Sequence, residues 1–113
     1  EKERQALYEK ILKVDQKEDK FMALKHQYED SLVNFATDFQ YLTTRMENLL
    51  YEYPQNTASL SRDLAETQHL NQQVKNYVGV QMDELEKLGR QTRKTLEEER
   101  EKLTKERNSL PWE

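Results

Sequence analysis

From Leu7 to Tyr53 one apolar phase runs in alternating steps of four and three: Leu7, Ile11, Val14, Glu18, Phe21, Lys25, Tyr28, Leu32, Phe35, Phe39, Leu42, Met46, Leu49, Tyr53. Twelve of these fourteen positions carry apolar or aromatic side chains, so the phase survives more than six heptads. Residues three and four apart share a face only on a helix. The pattern therefore commits residues 1–53 to one long amphipathic helix with a seam of the coiled-coil kind. Met22, Leu24, Ala36 and Leu50 stand beside the seam and widen the stripe beyond what two strands alone would cover. That width suits a three- or four-helix bundle.

A second helix is expected over 60–110. Its seam reads Leu60, Leu64, Thr67, Asn71, Val74 and Val78, continues through Met82 and Leu85, and resumes as Gly89, Thr92, Leu96, Glu99, Leu103, Glu106 and Leu110. The extra step near 78–82 is a stutter, which locally relaxes a left-handed supercoil. Thr67, Asn71 and Thr92 put polar groups on this seam, where they either fix register and partner choice or occupy loosely packed layers.

Between the two lies "YEYPQNTAS". Pro54 lacks an N–H and clashes with the preceding turn, so the first helix should stop near Tyr53. A polar loop over 54–59 follows, with Asn56, Thr57 and Ser59 offering capping oxygens, and Thr57 or Ser59 preferred. About fifty residues lie on each side, or roughly 75 Å of helix apiece. The predicted fold is all-α: a long antiparallel helical hairpin, coiled-coil-like, forming one elongated domain, with a Pro-kinked continuous helix as the alternative. Folding near Asn56 brings Asp15 to Arg100 and joins the two salt-rich ends, where packing is expected to be loosest. Residues 111–113 form a tail.

The apolar fraction is 35% and the mean hydropathy is -1.15, too little for a broad globular core but enough for narrow stripes. The net charge of -4 argues against nucleic-acid or anionic-lipid binding. The lack of cysteine excludes a disulfide scaffold and thiolate chemistry and fits a reducing compartment, cytoplasmic in preference to nuclear. An opening Glu1 inside a charged helical pattern suggests a piece of a longer protein.

Reactive groups do not converge. His26 and His69 sit off the seams and are some 18 residues out of step in an antiparallel pair, about 27 Å along it. Glu66 and His69 have the Glu-x-x-His spacing of helical di-iron sites, but a second copy is missing. The carboxylates around Glu97 read as a solvated face. Arg93, Arg100 and Arg107 repeat at heptad spacing among glutamates, which suits interhelical salt bridging rather than phosphate binding. No Gly-rich phosphate loop, serine elbow or zinc pattern occurs, so no catalytic, cofactor-binding or metal residue is assigned and no enzyme is expected. Tyr41, Tyr51 and Tyr77 fall beside or off the seams, as candidates for a surface that a partner covers. Trp112 reads as a chain-end residue or a minor packing contact.

The expected function is a non-catalytic protein–protein interaction module. It either oligomerises as a homodimer of hairpins or pairs with another helical subunit, and so scaffolds a larger assembly. A membrane-associated or curvature-related helical adaptor is the alternative, although such a surface needs a strongly basic face that this chain does not show.

Overall fold

The computed structural model describes residues 1–52 and 57–111. The expectations for Tyr53, Pro54, Asn56 and Trp112, and for the side chain of Thr57, lie outside the described part. Two helices account for nearly all of it: α1 (Lys2–Glu52) and α2 (Thr57–Ser109). The fold is all-α, as the periodicity demanded. Because α2 starts at Thr57, residues 57–59 belong to its first turn, not to a loop, and Ser59 lies inside the helix instead of capping it.

The ends of the pair are closed by specific groups. Glu1 accepts the Gln5 N–H at 3.0 Å, and Leu110 donates to the Arg107 carbonyl at 3.3 Å. The Ser109 hydroxyl donates to the Glu106 carbonyl at 2.8 Å, and Pro111 follows, which cannot continue a helix. Arg4 Nη2 reaches across from α1 to donate to the Leu110 carbonyl at 3.0 Å. An otherwise orphaned C-terminal acceptor is thereby satisfied by the opposite helix.

Packing divides the chain into two units. The first pairs residues 1–27 with 85–113, and the second is Tyr28–Glu84, which contains the end of α1 and the start of α2. Each is an antiparallel helix pair. In the first unit Arg4 meets Leu110 and Lys25 meets Gly89; in the second Thr43 meets Asn71. Every residue gained along α1 is matched by one lost along α2, which is the register of antiparallel neighbours.

Two of the three buried apolar side chains, Val14 at 1% exposure and Leu96, belong to the first unit, and Leu32 belongs to the second. Gly89 is also buried, and a Cβ there would sit 2.9 Å from Cε of Lys25. The missing side chain leaves room for the lysine stem to lie across α2. Sequence reasoning expected the salt-rich end to be the loosest part, yet it holds the most completely buried side chain of the described residues.

Candidate functional site

In the first unit one arginine, Arg100, gathers carboxylates from both helices. Arg100 donates from Nε to Asp15 Oδ1 at 2.8 Å and from Nη2 to Glu18 Oε2 at 2.8 Å, and it also pairs with Glu97 one turn earlier on α2. The Asp15–Arg100 pair is the one that antiparallel folding requires. Glu18, one of the two charged positions on the expected seam of α1, supplies the second carboxylate. These contacts, Glu18 first and Asp15 next, push the guanidinium above its ordinary pKa while burial opposes them. A raised pKa on a cation stabilises the fold at every pH below the unfolded value and is lost only as pH climbs through the folded one. For an arginine that window lies in strong alkali.

The second unit is built differently. Its most buried residues besides Leu32 are Thr43 and Thr67, at 3% and 4% exposure. The Thr67 hydroxyl donates to the Asp63 carbonyl of its own helix at 2.9 Å. Thr43 Oγ1 has the Gln40 carbonyl at 3.0 Å and Asn71 Oδ1 at 2.9 Å, and its single proton serves one of them at a time. Burying hydroxyls costs little when each is satisfied this way, but it adds little apolar area. Polar seam positions therefore do sit between the helices here.

Of the apolar stripe of α1 in this unit, Leu32 and Phe39 meet α2 and the rest lies elsewhere. Tyr28, Phe35, Leu42, Met46 and Leu49 are all exposed, whereas Glu29, Ala36, Thr43, Glu47 and Leu50 occupy the covered or half-covered line. The reason is periodicity. From Val14 to Leu50 the covered line takes ten steps, an average of 3.6 residues each, whereas the apolar stripe repeats every 3.5. On a helix of 3.6 residues per turn a strict seven-residue stripe rotates by about 20° per heptad, so over four heptads it turns roughly 80° away from the intrachain seam. In the first unit stripe and seam still coincide; in the second they share only Leu32 and Phe39 among the described residues.

The other expected seam residues distribute as follows. Val14, Leu32 and Leu96 are buried; Leu7, Ile11, Phe21, Phe39, Leu60, Leu64, Val74, Val78, Met82, Leu85, Leu103 and Leu110 are half-buried; Tyr53 is outside the described residues. Near the end of α2, Arg100 and Arg107 replace Glu99 and Glu106 on the half-covered line. Tyr41, Tyr51 and Tyr77 are exposed. Arg45 lies 5.9 Å over the Tyr41 ring, one turn along.

On the second unit the displaced stripe borders an open groove of about 410 Å³ lined by Met46, Leu49, Leu50, Thr67 and Leu70 with the carboxylates of Asp63 and Glu66. Phe35 extends the same α1 face and leans on Phe39, with ring centroids 6.3 Å apart. Tyr77 stands one heptad beyond Leu70 on α2. Of the fifteen large apolar side chains that are exposed among the described residues, eleven belong to this unit and four, Tyr8, Leu12, Leu24 and Leu88, to the other. Sequence reasoning assigned Tyr28, Phe35, Leu42, Met46 and Leu49 to the seam, set Tyr41, Tyr51 and Tyr77 apart as a partner-facing surface, and did not single out Leu70. The signal that separates the two places is the drift of a 3.5 repeat on a 3.6 helix.

Histidines 26 and 69 fall in different units. Among the described residues no group of three or more metal-ligating side chains converges, and no helix is long and apolar enough to cross a membrane. Compared with known proteins, the chain matches no family model, no curated protein and no solved structure. What defines it is its own architecture: a coiled-coil-like antiparallel pairing of two long helices with an uncovered apolar face.

Proposed function

We propose that this chain is a non-catalytic helical interaction module. It completes its packing in a three- or four-helix bundle with helices from a second copy or from another subunit, and thereby scaffolds a larger assembly. One observation carries the reading: Tyr28, Phe35, Leu42, Met46 and Leu49 keep the heptad that helix packing needs, yet the chain's own second helix leaves them exposed. Covering one half-exposed side chain of this size contributes about 1 kcal/mol, so an added helix has several such increments to gain. A membrane surface is disfavoured as the alternative cover, because the unit bearing the face holds nine acidic and three basic side chains and anionic lipid would repel it.

Light scattering on the full chain, alone and mixed with amphipathic helical peptides, tests the reading. Association that is lost in the double variant Leu42→Lys/Leu49→Lys is the expected result. A chain that stays monomeric and binds no amphipathic helix, whatever the charge beside its stripe, overturns it.

A further inference from the structure

The apolar face has a one-sided electrostatic rim. Asp63 and Glu66 line its groove beside Met46, Leu49 and Leu70, and neither meets a cation among the described residues. Asp63 shares a heptad row of α2 with Leu70, Tyr77 and Glu84. On α1 the row outside the stripe reads Asp38, Arg45 and Glu52, each three residues beyond Phe35, Leu42 and Leu49. Five carboxylates therefore border the face, against the two guanidiniums of Arg45 and Arg62, the latter lining the adjoining hollow with Glu66 and Leu70.

The rest of the unit agrees, with nine acidic and three basic side chains, a net of -6; the other unit has thirteen and fifteen, a net of +2. Resting on the interaction-module reading above, we infer that the face of the second unit receives a basic amphipathic helix from a different protein, one whose apolar heptad stripe is flanked by lysine or arginine. A second copy offering the same face would set five carboxylates against five, and like charges across an interface select against a partner. The copy's other unit has a suitable sign but no comparable stripe, with four dispersed large apolar side chains exposed.

The test uses the full chain and three labelled helix-forming peptides of about 28 residues. One has leucine at the a and d positions with lysine beside them, the second has glutamate in place of the lysines, and the third keeps the lysines but replaces the leucines with glutamine. Anisotropy should show the leucine–lysine peptide binding at least about tenfold tighter than either of the others, with the charge preference shrinking in high salt. Asp63→Lys/Glu66→Lys should reverse the preference towards the glutamate peptide, and Leu42→Lys/Leu49→Lys should abolish binding. Equal binding of the lysine and glutamate peptides, or unchanged preference in the Asp63→Lys/Glu66→Lys variant, overturns the inference. So does equal binding of the two lysine peptides. A chain that dimerises on its own and is split by Leu42→Lys/Leu49→Lys also overturns it, in favour of a second copy, while leaving the interaction-module reading standing. A monomer that binds none of the three peptides overturns both.

Discussion

The two units are built from the same two helices in the same antiparallel sense, yet they spend their apolar residues in opposite ways. Residues 1–27 and 85–113 keep stripe and seam together, bury Val14 and Leu96, and add the Arg100 contacts to Asp15 and Glu18. Tyr28–Glu84 buries Leu32 with two threonines and leaves a row of aromatic and aliphatic side chains in water. The difference teaches that a heptad pattern identifies a face without identifying what covers it. Where the pattern and the intrachain contact coincide, the pair is self-sufficient. Where they diverge, the unit offers a surface.

Substitutions can break or sharpen this contrast. The largest effect is expected at Leu96→Ala, a truncation at a buried site, with a loss of about 2–3 kcal/mol in urea unfolding followed by circular dichroism. The matching Leu42→Ala change in the other unit should cost under about 0.5 kcal/mol in the isolated chain. Comparable losses at the two sites would mean that the stripe is already covered.

Next comes Arg100→Ala. It removes the shared partner of three carboxylates, all on partly exposed side chains, so about 1 kcal/mol should be lost at low salt. Since salt screens such pairs, the gap between wild type and variant should close towards 1 M salt; a gap that ignores salt would assign the loss to the arginine stem.

The smallest effects separate the two glycines. Gly79, in the second unit, has open space where an added methyl would stand, so Gly79→Ala should gain up to about 1 kcal/mol from helix propensity alone. Gly89→Ala meets the Lys25 stem and should gain less, because that flexible side chain must move aside. Thermal unfolding of both variants, ranked against wild type, checks the order.

Much of this architecture was legible in the residues. Helix-forming composition, few glycines and prolines, and the equal halves on either side of Pro54 pointed to two long helices, and antiparallel register put Asp15 near Arg100. Thr67 and Asn71 were correctly placed on the seam. Two things were not legible. Charge density suggested a loose salt-rich end, but Arg100 satisfies carboxylates from both helices and Val14 is fully buried in the same unit, so charge and tight packing coexist. The strict phase of α1 was also carried through as a single seam. A difference of a tenth of a residue per turn is invisible over two heptads, whereas over four it moves Phe35 and Leu42 out of the contact and Ala36 and Thr43 into it.

That offset has an arithmetical consequence. Each exposed stripe residue stands immediately before a covered one: Tyr28 before Glu29, Phe35 before Ala36, Leu42 before Thr43, Met46 before Glu47, Leu49 before Leu50. Adding one amino acid between Lys25 and Tyr28 would turn the rest of α1 by about 100°, bringing these five residues to α2 while carrying Leu32 and Phe39 out of the contact. The openness of these five side chains to other helices is thus kept by a frame of one residue.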